Sequence, residues 1–134
     1  MNSKDVRRYG FDKWHEFSIR NEHRLLRSVP QEKGVYVIKY EHHFGRFKGK
    51  SDIMYFGSSQ DEKGGLRRRI RFFFHPGKTQ KTSKRIHEWM KRINRFEISF
   101  ITRCGGKKPR KLETHLLAEY EKRHREFPPW NRRA

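Results

Sequence analysis

The chain has 134 residues, and its 34 Lys and Arg stand against 15 Asp and Glu, a formal net charge of +19. That length suits one domain; no apolar run approaches the roughly 18–20 residues of a membrane span, and Met1-Asn2-Ser3-Lys4 begins no signal peptide. With Cys104 alone, an internal disulfide and a cysteine-based zinc cluster are excluded, so a soluble, cytoplasmic protein is expected, with a modest core built largely from eleven Phe, five Tyr and three Trp.

Residues 1–28 read as a polar lead followed by a helix, with Phe11, Trp14, Phe17, Leu25 and Leu26 on an imperfect apolar face and Ser28-Val29-Pro30 as its stop. Residues 1–33 are therefore taken as an N-terminal helical extension and 34–134 as the domain proper. From Gly34, Val35-Tyr36-Val37-Ile38-Lys39-Tyr40 is β-branched and aromatic and predicts a strand. Residues 41–51 suit a long hairpin loop, and Ile53-Met54-Tyr55-Phe56 is the returning strand, closed by Gly57-Ser58-Ser59. Leu66 to Phe74 predicts a helix stopped by His75-Pro76-Gly77, followed by a basic loop at 78–81. Thr82 or Ser83 can cap the next helix, whose Ile86, Trp89, Met90 and Ile93 fall at i, i+3, i+4 and i+7, so Trp89 is expected in the core. Phe96 to Ile101 alternates as a strand, and Pro109 starts a last helix to about Arg125. Phe127-Pro128-Pro129-Trp130-Asn131 forms an extended tail. The order predicts a small α/β (α+β) domain on a three-stranded, mostly antiparallel sheet flanked by helices.

Charge is concentrated at residues 63–95, where twelve Lys and Arg meet one acid, Glu88, a net of +11. A field of that size, dominated by arginine, favours a polyanion and above all nucleic acid. Arg67, Arg68, Arg71, Lys78, Lys81, Lys84 and Arg85 are candidate phosphate contacts; simple surface charge is the alternative for each. On the last helix Glu113 precedes Leu116, Leu117 and Tyr120 by three, four and seven residues and so lies on the apolar stripe. A carboxylate there needs an arginine partner or a metal ion, because desolvating it alone costs several kcal/mol. On the helix from Leu66, Arg67 and Arg69 flank the apolar face, while Arg68, Arg71 and His75 project away. Tyr36 and Tyr55 lie on the first two strands, each beside a glycine.

Taken in order, Gly34-Val35-Tyr36, Tyr55-Phe56-Gly57, Leu66-Arg67-Arg68-Arg69-Ile70, Leu112-Glu113 and Pro128-Pro129-Trp130-Asn131 resemble the GIY-YIG nucleases. The resemblance implies a three-stranded antiparallel sheet with flanking helices and hydrolysis of a nucleic-acid phosphodiester with one divalent ion, Mg²⁺ or Mn²⁺. It matches Tyr36 and Tyr55 to the motif tyrosines, Arg69 to the helix arginine, Glu113 to the metal-binding carboxylate and Asn131 to the asparagine near the site. Phe73 stands where many members carry His or Tyr, and His75 is the nearby candidate to replace that group. The reading is a DNA endonuclease of short or loose sequence preference acting on single-stranded, branched or duplex DNA. Its alternative is an inactive nucleic-acid-binding module.

Overall fold

The computed structural model describes residues 1–131; residues 132–134 of the expected domain lie outside it. Among the described residues the strands β1 (His15–Phe17), β2 (Gly34–Gly45), β3 (Lys50–Ser59) and β4 (Phe96–Ile101) form one antiparallel sheet in the order β1-β4-β2-β3. The helices are α1 (Glu22–Ser28), α2 (Gly65–Phe74), α3 (Lys81–Arg92) and α4 (Pro109–His124). None of the described helices is long and apolar enough to cross a membrane.

Period-two alternation along β2 divides the core in two. Tyr36 and Ile38 face a layer formed by Leu25 of α1, Leu66, Ile70 and Phe73 of α2, and Ile86 and Met90 of α3. Val35 and Val37 face α4 through Leu112, Leu116, Leu117 and Tyr120. The apolar stripe expected on the last helix is thus the buried one.

The lead departs from expectation. The polar lead and helix predicted for residues 1–28 are a 3-10 turn at Asp5–Tyr9, then β1, then a second 3-10 turn running into the short α1. β1 adds a fourth strand, with His15, Glu16 and Phe17 opposite Ile98, Glu97 and Phe96. The i, i+3, i+6 spacing of Phe11, Trp14 and Phe17 imitates a helix, but Gly10 takes φ +108° and the chain leaves Asp5–Tyr9 in the left-handed region. Phe11 and Val6 enter the α4 side of the core, while Phe17, Leu25 and Val29 enter the other side. The segment 1–33 is therefore part of both cores.

The loop expected over 41–51 is mostly strand. β2 and β3 run out to Gly45 and Lys50, and Arg46 N donates to Gly49 O at 2.9 Å to close the turn. Its exposed residues Glu41, His42 and His43 carry no apolar alternation and fall in an irregularity of the β2–β3 register, with Glu41 N donating to Arg95 O at 2.9 Å. α3 starts at Lys81 with Gln80 at its N-terminal boundary, and neither Thr82 nor Ser83 caps it. The tail residues Trp130 and Asn131 lie along the outer edge of β3. Trp130 N donates to Met54 O at 2.9 Å, and the Asn131 amide both accepts from Phe56 N at 2.9 Å and donates to Phe56 O at 3.0 Å. An edge strand is thereby covered rather than left open.

Candidate active site

Tyr36, on β2, faces Gly57, on β3, across the ladder. A Cβ at residue 57 would lie 2.3 Å from Tyr36 Cζ and 2.4 Å from its hydroxyl oxygen, so only glycine lets the phenol cross the edge strand. Gly34 is similarly confined, since its Cβ would meet the Ile101 carbonyl oxygen at 2.2 Å. The Tyr36 ring is fully buried and its hydroxyl, beside that of Tyr55, closes no hydrogen bond of good geometry among the described residues. Tyr55 retains 8% exposure. The two rings are 6.0 Å apart, and Phe73 packs edge-on against both, at 5.9 and 6.2 Å.

Gly57→Ala is accordingly expected to destabilise the domain by about 1–3 kcal/mol, the cost of overpacking a site whose neighbour has nowhere to swing. Urea unfolding checks it; an unchanged midpoint would mean that the Tyr36 ring is not held there.

Arg69 stands on the same side of α2 as Phe73, its guanidinium carbon 5.8 Å from the centre of that ring. It interacts electrostatically with Tyr36, Tyr55 and Glu113. Glu113 reaches the same place from α4, on the other face of the sheet, and accepts a hydrogen bond from the Ser58 hydroxyl. Ser58 follows Gly57 on the edge strand and so points to the opposite face, towards α4. Four of the six expected catalytic residues, Tyr36, Tyr55, Arg69 and Glu113, therefore meet around the Gly57-Ser58 end of β3. Ser58 was missed because a serine after a motif glycine reads as a turn residue; strand alternation was the signal that could have found it.

The electrostatics of the cluster are those of a desolvated anion site. Burial pushes the Glu113 carboxyl up, and the Ser58 hydrogen bond and the charges of Arg110 and Arg69 only partly offset it. No arginine or lysine closes an ion pair on this carboxylate among the described residues. Burial likewise raises Tyr36 well above an ordinary phenol, and raises Tyr55 against the opposing charge of Arg69. Both phenols hold their protons more tightly than free tyrosine. No group of three or more His, Cys, Asp or Glu is assembled among the described residues. A lone half-buried carboxylate with hydroxyls around it still fits Mg²⁺, which keeps several waters and takes one or two carboxylates plus substrate phosphates.

The remaining expected residues lie elsewhere. His75, beyond the end of α2, is exposed and pairs with Glu22 at 2.6 Å on the side facing α1. Arg67, Arg68 and Arg71 share that side, around a pocket with Glu22 and His23. The Arg67 Nε donates to Val29 O at 2.8 Å and holds the α1–β2 connection. Arg68 pairs with Asp61 at 2.6 Å, and Arg71 is exposed. Lys78 and Lys81 are exposed; Lys84 Nζ donates to Lys78 O at 2.8 Å, and Arg85 Nη2 donates to Trp130 O at 2.7 Å. Asn131 has both ends of its amide committed to Phe56, so it pins the tail beside the cluster. Trp89, expected in the core, is 41% exposed, whereas Trp130 of the tail is buried at 4%.

The chain matches no protein-family model, no curated protein and no solved structure.

Proposed function

We propose that this protein is a metal-dependent endonuclease of GIY-YIG type that hydrolyses DNA phosphodiester bonds. The observation that carries the reading is Glu113: a carboxylate held in a desolvated place by Ser58, without a closed ion pair among the described residues, beside an arginine and two tyrosine hydroxyls. A structural carboxylate would be matched by a cation of the chain itself. A bound Mg²⁺ or Mn²⁺ would supply Lewis-acid stabilisation of the scissile phosphate and of the leaving oxygen.

The side chains divide the remaining work. Glu113 would hold the ion. Arg69 neutralises charge developing on the phosphate. The small ionised fraction of Tyr55, the more accessible phenol, accepts the proton of the attacking water and becomes the neutral phenol, while Tyr36 buttresses Tyr55 from within the core. Asn131 and Gly57 act through position, keeping the edge strand and the Tyr36 ring in place. A cytoplasmic setting accompanies this reading.

Incubating plasmid and single-stranded DNA with Mg²⁺, Mn²⁺ or EDTA tests it, with metal-dependent strand scission as the expected result. The absence of cutting with retained DNA binding would favour an inactive binding module, a reading favoured by Phe73 and by the tightly held phenolic protons.

Two further outcomes follow from where the basic residues sit. Alanine at Arg71, Lys78 or Lys81 is expected to lower the slope of log affinity against log salt by about one unit each, because each is an exposed cation available to a phosphate. His75→Ala should leave the cleavage rate within about threefold of the parent. A general acid–base group would instead cost roughly 10²–10⁴. Salt titrations of binding in EDTA and single-turnover cleavage assays read these two effects.

A further inference from the structure

Beyond the catalytic cluster, on the same face of the sheet, an open groove of about 420 Å³ lies between the outer ends of β2 and β3 and the side of α3. Tyr40, Phe44, Met54, Trp89, Phe96 and Trp130 line it, five of the six aromatic. Tyr40 is four residues beyond Tyr36 on β2, about 13 Å along the strand, and Met54 immediately precedes Tyr55. Groove and cluster therefore share the edge strand β3, with the pinned tail at Trp130 and Asn131 between them. Trp89 is not drawn into the core with its helix neighbours Ile86 and Met90; it stands at the wall with 41% of its surface exposed.

The charge around this apolar floor is mostly positive, although Arg46 pairs with Glu126 at 3.0 Å. Residues Lys81–Arg92 of α3 carry five cations and one acid, Glu88. Arg85 itself lines the groove, and the Arg46 guanidinium carbon is 5.6 Å from the centre of the Phe44 ring. A flat aromatic floor inside a cationic rim suits a ligand with a flat apolar face on an anionic backbone. A second, equally basic copy of this chain would meet an unfavourable field, and an apolar peptide would leave the cations unmatched.

We propose that the groove receives an unpaired nucleobase stacked on Trp89, which makes single-stranded or locally opened nucleic acid the preferred substrate. The proposal rests on the nuclease reading above and extends it to the substrate. Duplex bases, already stacked on one another, cannot enter. Phosphates near the groove meet the cations of α3, while the base face meets Tyr40 and Trp89, an arrangement that tolerates any base because every base has a π-face.

The test uses the full chain in EDTA, with labelled single strands that each lack the base at one position. For the parent protein, one abasic position is expected to weaken binding by about 5- to 150-fold, the range for one base stacked on an aromatic side chain. Trp89→Ala should lose that much on the intact strand and become indifferent to the abasic position. Trp89→Phe should retain most of the affinity, and duplex of the same sequence should bind the parent and Trp89→Ala alike. Because Trp89 is half-exposed, its alanine variant should melt as the parent does. Binding of the parent that ignores every abasic position overturns the groove proposal and leaves the nuclease reading standing. Failure to bind any nucleic acid overturns both. A concentration-dependent dimer that Trp89→Ala abolishes would show that a second copy occupies the groove, and would overturn the proposal too.

Discussion

Glu113→Gln is expected to abolish cleavage and, at neutral pH, to make the domain more stable. The first effect follows from removing the sole carboxylate of the cluster among the described residues: a neutral amide cannot hold a divalent ion against water, and the loss of several kcal/mol of transition-state stabilisation should leave less than roughly one thousandth of the rate. The second follows from burial, which raises the carboxyl above its unfolded value more than Ser58, Arg110 and Arg69 lower it. A carboxyl whose folded pKa is raised favours the fold most when protonated, below its unfolded pKa. That contribution is lost as pH rises through the folded pKa. Glutamine keeps the shape and never ionises, so its advantage should appear above the folded pKa and fade as pH falls into the ordinary carboxylate range. Thermal unfolding in EDTA from acid to neutral pH, beside a cleavage assay in Mg²⁺, measures both. An unfolded Glu113→Gln protein would return this residue to a structural role and remove the main support for an enzyme.

Tyr55→Phe is expected to slow cleavage by roughly 10²–10⁴-fold, the contribution of a positioned proton acceptor. Burial raises the Tyr55 phenol despite the opposing charge of Arg69, so only a small fraction is ionised at neutral pH. The parent rate should climb with pH and show no plateau below about pH 10, the ordinary phenol value; the Tyr55→Phe rate should climb less. Tyr36→Phe makes the contrast. Its hydroxyl is buried without a well-formed hydrogen bond, so removing it should leave stability unchanged or improved and affect the rate far less than Tyr55→Phe. Single-turnover rates between pH 6 and 9.5 separate the two. A Tyr55→Phe enzyme with the parent's rate and pH slope would exclude this phenol as the base.

Much of the cluster could be read from residue order because its signals are local. Leu66, Ile70 and Phe73 announce α2 and place Arg67 and Arg69 beside their face, and the resemblance singles out Arg69. Leu116, Leu117 and Tyr120 place Glu113 on a buried stripe by helical period alone. The strands at Val35–Tyr40 and Phe96–Ile101 carry apolar and β-branched side chains that leave few other conformations. Helix periodicity and strand composition are properties of a few neighbouring residues, so these elements needed no knowledge of their partners.

What the tertiary structure decided depends on partners distant in the chain. His15–Phe17 is a strand because β4 presents an open edge to it, and nothing within Phe11–Phe17 reveals that edge. Phe44 and Gly45 are strand for the same reason, their partners being Ser51 and Lys50 of β3. Arg67 and Arg85 look like surface cations in sequence, yet each spends a guanidinium hydrogen bond on a carbonyl far along the chain. The helical period put Trp89 in the core and could not show that Trp130 arrives from the tail to fill that layer, leaving Trp89 at the groove. Residue types and periods determined most helices and strands and the place of Glu113 on a buried stripe, while the resemblance nominated the tyrosines and Arg69. Only long-range pairing decided which of them meet, because a β-edge, a buried carbonyl and a filled core layer are each supplied by another part of the chain.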